Sequence, residues 1–410
     1  MQRHLERYIY VVILFIGFVD YLGIGLVYPI LAALLFDSGS PFLEASASAS
    51  TRGVLFGVLV ALAPLGQFIF APLLGTFSDR YGRKPALFLG MGTGFVGYLL
   101  ALVSLYTHSL SLLFIYRICV GVSEGTSAVA SATVVDISTE ENKAGRFSLL
   151  NSCFGIGFTV GPFLGGFLAS LYGFYAPFIA AGSMCLINLV LLSTKFPETR
   201  QPNQKKEERG SPLSAILQVT KVFTMREFSW LFTGGFCLSF GWSLFGEFSP
   251  LFLRERFQAS IHEIGNFYAW CGGWYAFFAF VASTAFVQQF KPENYSTFFM
   301  GLGGLVLLTV SQCTYIEAVW ASIVLMMALL ASLYPVIAAH ISNRASDDRQ
   351  GEVMGVYQSI QSLAMATSPL AFGSVIGMYP SGAAWIGACF FIVGSLALFQ
   401  ERAQGQKVLN

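Results

Sequence analysis

Apolar runs of membrane-spanning length alternate with short polar breaks along nearly the whole chain. A bilayer core needs about 20 apolar residues per helix. Measured against that length, the runs fall near 8–36, 53–76, 86–106, 110–136, 145–170, 175–195, 226–253, 263–288, 296–314, 317–342, 352–378 and 382–399. The pattern predicts an all-α integral membrane protein of twelve transmembrane helices, with gaps short enough for antiparallel hairpins. The first run is too long for a signal-peptide core and carries Asp20 in its middle, so it is expected to stay in the bilayer.

The longest polar break, Phe196 to Met225, contains PETRQPNQKKEERGSP, whose Pro, Lys, Glu and Gly together rule out a span. It predicts an N-terminal six-helix bundle (1–195), a cytoplasmic linker (196–225) and a C-terminal six-helix bundle (226–410). The halves echo each other. Asp136-Ile137-Ser138, then EENKAGRF, then a helix with Gly161-Pro162 has its counterpart in His340-Ile341-Ser342, SDDRQGEV and a helix with Ser368-Pro369. Internal repeats of this kind mark transporter folds, in which the substrate site lies between the repeats.

Composition narrows the class. Of 410 residues, 55% are hydrophobic and 11% charged, and the mean hydropathy is +0.65, whereas soluble domains carry roughly a quarter charged residues. A net charge of +1 gives no reason to expect nucleic acid. The seven cysteines stand singly in apolar stretches, without metal or disulfide spacing. Of the 23 Lys and Arg residues, only Arg52, Arg254 and Arg256 fall on one side of the predicted spans, Arg117 falls inside one, and the other nineteen fall opposite. The positive-inside rule then places both termini in the cytoplasm.

Ionisable residues at bilayer depth are functional candidates, because each is costly unless paired or hydrated. Five stand out: Asp20 in the first span, Arg117 and Glu124 in the fourth, Glu247 in the seventh and His340 in the tenth. Arg117 and Glu124 are two helical turns apart and share a face. Trp242 and Trp274 are candidate clamps for a planar or cationic ligand. Paired histidines, a nucleophile elbow and a phosphate loop are all missing from the sequence, so neither an enzyme nor a cofactor or metal is expected.

The sharpest motif is Gly75-Thr76-Phe77-Ser78-Asp79-Arg80-Tyr81-Gly82-Arg83-Lys84-Pro85, between the second and third spans. It resembles the signature of the major facilitator superfamily, G-x-L-x-D-R-x-G-R-K. The segment from Asn151 to Ser170, with Gly161 and Pro162, is similar to the Gly-Pro motif of drug/proton antiporters. Asp20 to Pro29 and Tyr175 to Ala181 resemble the tetracycline exporters. The resemblance implies a proton-coupled exporter of a small organic compound, acting as a monomer in the bacterial inner membrane. It further implies that Arg117 takes part in proton transfer, and that Asp79, within Gly75, Asp79, Arg80, Gly82 and Arg83, latches the N-terminus of the eleventh helix. The chain departs from the exporters at Gly97, where they carry an acid. It also has only His262, at the outer edge, where they carry an eighth-helix histidine, and Gln289-Phe290-Lys291-Pro292-Glu293 where the signature would repeat. These departures weigh against tetracycline itself. Alternatives are a proton-coupled carrier of a metabolite or siderophore, and a sensor that binds without transporting.

Overall fold

The computed structural model describes residues 2–37, 40, 42–199, 225–281, 292–346 and 349–409. Most of the predicted linker and Gln289 to Lys291 lie outside the described residues. Within them the chain forms α-helices and one 3-10 turn, with no strand. The helices are α1 (Gln2–Phe36), α2 (Ala49–Tyr81), α3 (Arg83–Thr107), α4 (Leu110–Glu124), α5 (Thr126–Asp136), α6 (Glu140–Tyr172) and α7 (Tyr175–Thr194). They continue as α8 (Ser229–Phe257), α9 (Ile261–Val281), α10 (Pro292–Gln312), α11 (Ile316–Arg344), α12 (Gln350–Met378) and α13 (Gly382–Leu409).

Without water to bond exposed peptide groups, a chain in hydrocarbon must satisfy its backbone internally, and helices do so. Among the described residues, with α4 and α5 as one span, eleven helices are long and apolar enough to cross a bilayer. The twelfth, α9, is 21 residues long. Its apolar character is diluted by Asn266, Trp270, Trp274 and Tyr275 rather than by length. Several helices overrun the predicted segments. α2 continues to Tyr81 and α13 to Leu409, because a helix that has crossed the membrane can continue through polar sequence beyond it.

The described residues sort into two compact units. One draws on Met1–Ser46, Leu62–Ile216 and Ile261–Ala269, the other on Ala47–Ala61, Leu217–Ser260 and Trp270–Asn410. In the first, α1 packs on α6 and α7, and α3 on α4 and α7. In the second, α8 packs on α12 and α13, and α10 on α11 and α13. These are the same four pairings shifted by six spans, so the repeat seen in the sequence extends to helix packing. The membrane-facing surface is apolar, with Leu89, Val96, Leu99 and Val103 exposed along α3.

Lipid tails are as apolar as leucine, so helices associate in a membrane through close approach at small residues. The α1–α6 crossing uses this device. A β-carbon on Gly161 would lie 2.6 Å from the Leu22 carbonyl oxygen, and one on Gly25 would lie 2.8 Å from the Pro162 ring. Gly155 on the same helix faces open space. Gly161→Val is therefore expected to destabilise the protein by about 1–3 kcal/mol through overpacking. Gly155→Val should leave thermal unfolding in detergent unchanged, and equal losses from both would refute the crossing as the cause.

Candidate functional site

The signature expected between two spans is helical as far as Tyr81, and Gly82 alone breaks it. Gly82 has φ 107°, which a glycine adopts without the penalty a β-carbon brings. This one-residue turn folds Arg83 back along the last turn of α2. Its Nη1 donates to Asp79 Oδ1 at 2.9 Å and to Ser78 Oγ at 2.7 Å. Its Nε and Nη2 donate to the two carboxylate oxygens of Asp136, at 2.7 and 3.2 Å. The Ser78 hydroxyl gives its own proton to the Gly75 carbonyl at 2.8 Å, leaving a lone pair for Arg83. Such a fork suits a planar guanidinium and not an ammonium. Arg83 is buried by this enclosure. Arg80 lies apart, exposed, with its guanidinium 5.4 Å from the Tyr81 ring centre. At Gly75 a β-carbon would meet no atom within 4 Å.

Along the fourth span the helix tightens into a turn at Gly125, directly after Glu124: Gly125 keeps helical angles (φ −62°, ψ −17°), and its N–H reaches both the Gly121 and Val122 carbonyls at 3.2 Å. Side-chain hydroxyls compete for the backbone there: Thr126 Oγ1 donates to the Ser123 carbonyl at 2.7 Å and Ser127 Oγ to the Glu124 carbonyl at 2.8 Å. Gln67 on α2 reaches the same Glu124 carbonyl at 3.4 Å. α2 comes this close because Gly121 carries no side chain; a β-carbon would sit 2.5 Å from the Ala63 oxygen. Asp20 on α1, 6% exposed, lines a cavity of about 10 Å³ with Tyr21, Thr126 and Ser127. That is room for roughly one water molecule. Arg117 is 2% exposed and Glu124 half-buried. In the first unit Asp20 thus shares a cavity with the turn that follows Glu124, two helical turns beyond Arg117 on the same span.

In the second unit Glu247 is buried in α8. Trp242, half-buried on the same helix, has its ring 5.9 Å from that of Phe245. Trp274 packs among the rings of its own helix, 5.5 Å from Trp270 and 5.6 Å from Phe277 and Phe278. Trp270 Nε1 donates to the Trp320 carbonyl at 3.1 Å, tying that cluster to α11. His340 is half-buried near the end of α11. Among the described residues no three His, Cys, Asp or Glu side chains gather to hold a metal ion.

Eleven membrane-length helices together with α9, packed in a pattern that repeats after six spans and carrying Asp20, Arg117 and Glu247 buried along them, describe a membrane transport protein. The Major Facilitator Superfamily profile matches residues 13–369, and the chain belongs to that family. It is 31% identical to the class C tetracycline resistance protein of Escherichia coli, over 91% of this chain and 92% of that one. It is 28% identical to the class H tetracycline resistance protein of Pasteurella multocida, over 97% and 98%. Among solved structures, it superposes on a D-xylose-proton symporter with TM-score 0.76 and 16% identity, over 95% of this chain and 96% of that one.

Sequence reasoning missed two partners of Arg83, Asp136 and Ser78. Asp136 had a signal: an acid ending the fourth span, immediately before a turn, on the same side as the basic signature. Ser78 had none beyond its place in the motif. If the Arg83–Asp136 contact carries energy, a double-mutant cycle of Arg83→Gln and Asp136→Asn should give a coupling of about 1–3 kcal/mol in thermal unfolding. Additive losses would show that the two side chains act separately.

Proposed function

We propose that the protein is a secondary active transporter that exports a small drug-like, lipophilic or cationic compound in exchange for protons, by alternating access. The observation that carries this reading is Asp20, buried in α1 beside a water-sized cavity that Thr126 and Ser127, closely following Glu124 on the fourth span, also line. A carboxylate at bilayer depth is expensive when charged and tolerable when neutral. Its proton can therefore be tied to the side of the membrane that the cavity faces. Arg117 cannot lose its charge. It serves as the fixed countercharge that the protonation of Glu124 releases or engages.

In this reading Glu247 is the carboxylate that the C-terminal half offers to a cationic substrate, and Trp242 supplies an aromatic face. The halves, 1–195 and 226–410, rock against each other across the linker, with both termini in the cytoplasm of a bacterial cell and the protein acting as a monomer. The resistance proteins named above support a drug-like cargo. The departures at Gly97 and His262 favour a compound other than tetracycline.

The test is proton movement in acidified inside-out vesicles, followed with a pH-sensitive dye while tetracyclines, lipophilic cations, amino acids and iron chelates are added in turn. Proton efflux is expected with a drug-like compound, and it should disappear in Asp20→Asn and Glu124→Gln variants present at wild-type levels. Undiminished efflux in both variants would remove these carboxylates from the coupling. A response confined to amino acids or iron chelates would replace the drug reading with metabolite transport.

A further inference from the structure

The chain leaving α7 does not depart directly into the linker. Phe196 is 1% exposed, packed in a cluster with Ile9, Ile13, Leu87 and Leu192. Pro197 follows with a fixed φ, and the next residue, Glu198, turns its carboxylate onto the start of α3. Oε1 accepts the Arg83 backbone N–H at 2.8 Å, and Oε2 accepts that of Lys84 at 3.1 Å. Lys84 Nζ fastens the same junction from the other side, donating to the Ser193 carbonyl at 3.1 Å.

The first N–H groups of a helix have no partner inside it and carry the positive end of its dipole. Usually the residue just before the helix supplies the cap. Here that residue is Gly82, which has no side chain, and a β-carbon on it would lie 2.4 Å from the Glu198 carboxylate. Glycine at this position thus has two causes: the positive φ, and the space that a cap arriving from more than a hundred residues away must occupy.

We propose that Glu198 is a positioning residue of the cytoplasmic signature, capping α3 from the end of α7 and so fixing the aim of Arg83 at Asp79 and Asp136. Arg83 bonds Glu198 through its backbone and the two aspartates through its side chain, so loosening the cap frees the whole residue. The consequence for transport rests on the function proposed above; the cap itself does not.

The experiment joins two readouts on the full-length protein and its Glu198→Gln and Glu198→Ala variants. The first is hydrogen exchange of the peptide containing Arg83 and Lys84. Exchange is expected to rise severalfold in Glu198→Ala and less in Glu198→Gln, whose remaining carbonyl still accepts one N–H. The second is drug-driven proton flux, where the maximal rate should fall severalfold in Glu198→Ala while the concentration for half-maximal rate stays constant. Unchanged exchange would overturn the cap. Raised exchange with an unaltered maximal rate, or a change confined to the half-maximal concentration, would overturn the positioning role. If Glu198→Ala does not fold, Glu198→Gln alone decides both readouts. Absence of flux in the wild type for every compound would sink the proposed function instead, and exchange would still decide the cap.

Discussion

Hydrocarbon offers a polar group nothing to bond to, and most features of this molecule follow from that constraint. Each peptide group within the bilayer must find its partner in the same segment, so the crossing elements are helices. Helices surrounded by lipid gain little from burying more apolar surface, so contacts such as α1 on α6 depend on close approach at Gly25 and Gly161. Where the fourth span tightens, at Gly125, hydroxyls of Thr126 and Ser127 and the amide of Gln67 add bonds to the carbonyls of the preceding turn. The tightened turn keeps every one of these polar groups answered locally.

Two groups of charges meet the same constraint in opposite ways. Arg83, at the end of the membrane-spanning region, has its donors committed to Asp79, Ser78 and both oxygens of Asp136. A charge so saturated resists rearrangement, and breaking one contact leaves a buried ion short of partners. Asp20 instead borders a cavity, and Glu124 is only half-buried. The first arrangement suits a structural clasp and the second a group that changes its proton. On the function proposed above, this contrast, rather than position in the membrane, is what would separate the two roles.

Hydropathy made the spans legible because length and apolar character are what a bilayer selects. The helix ends were less legible, since nothing in an apolar run says how far a helix continues into water, as α2 does through Asp79 to Tyr81. The aromatic-rich α9 was readable by length but dilute in hydropathy, because Trp and Tyr serve interfaces as well as interiors. Of the candidate residues, the signature was recognisable as a motif and Asp136 left a signal as an acid at the end of a span, but which contacts Arg83 makes was not readable. Asp136 and Glu198 are supplied by distant segments, and spacing along one helix carries no information about contacts made across three. Arg117 and Glu124 were legible as residues on one helix face; the tightened turn at Gly125 beside them was not, since glycines recur throughout these helices without altering them.

The internal repeat shows which parts of this arrangement depend on one another. Helix packing recurs in both units, yet the signature does not: Gln289 to Glu293 stands where it would repeat, and His340 stands where the first half has Asp136. The two changes belong together. An aspartate at the membrane edge without the guanidinium that holds it would be a partly buried, uncompensated charge, and an arginine without its acid would be the same with the sign reversed. Loss of either member therefore removes the reason to keep the other, whereas the packing, which depends on small residues and apolar faces, is free to persist. Among the described residues, the Arg83–Asp136 clasp thus belongs to the first half and is carried on a scaffold common to both.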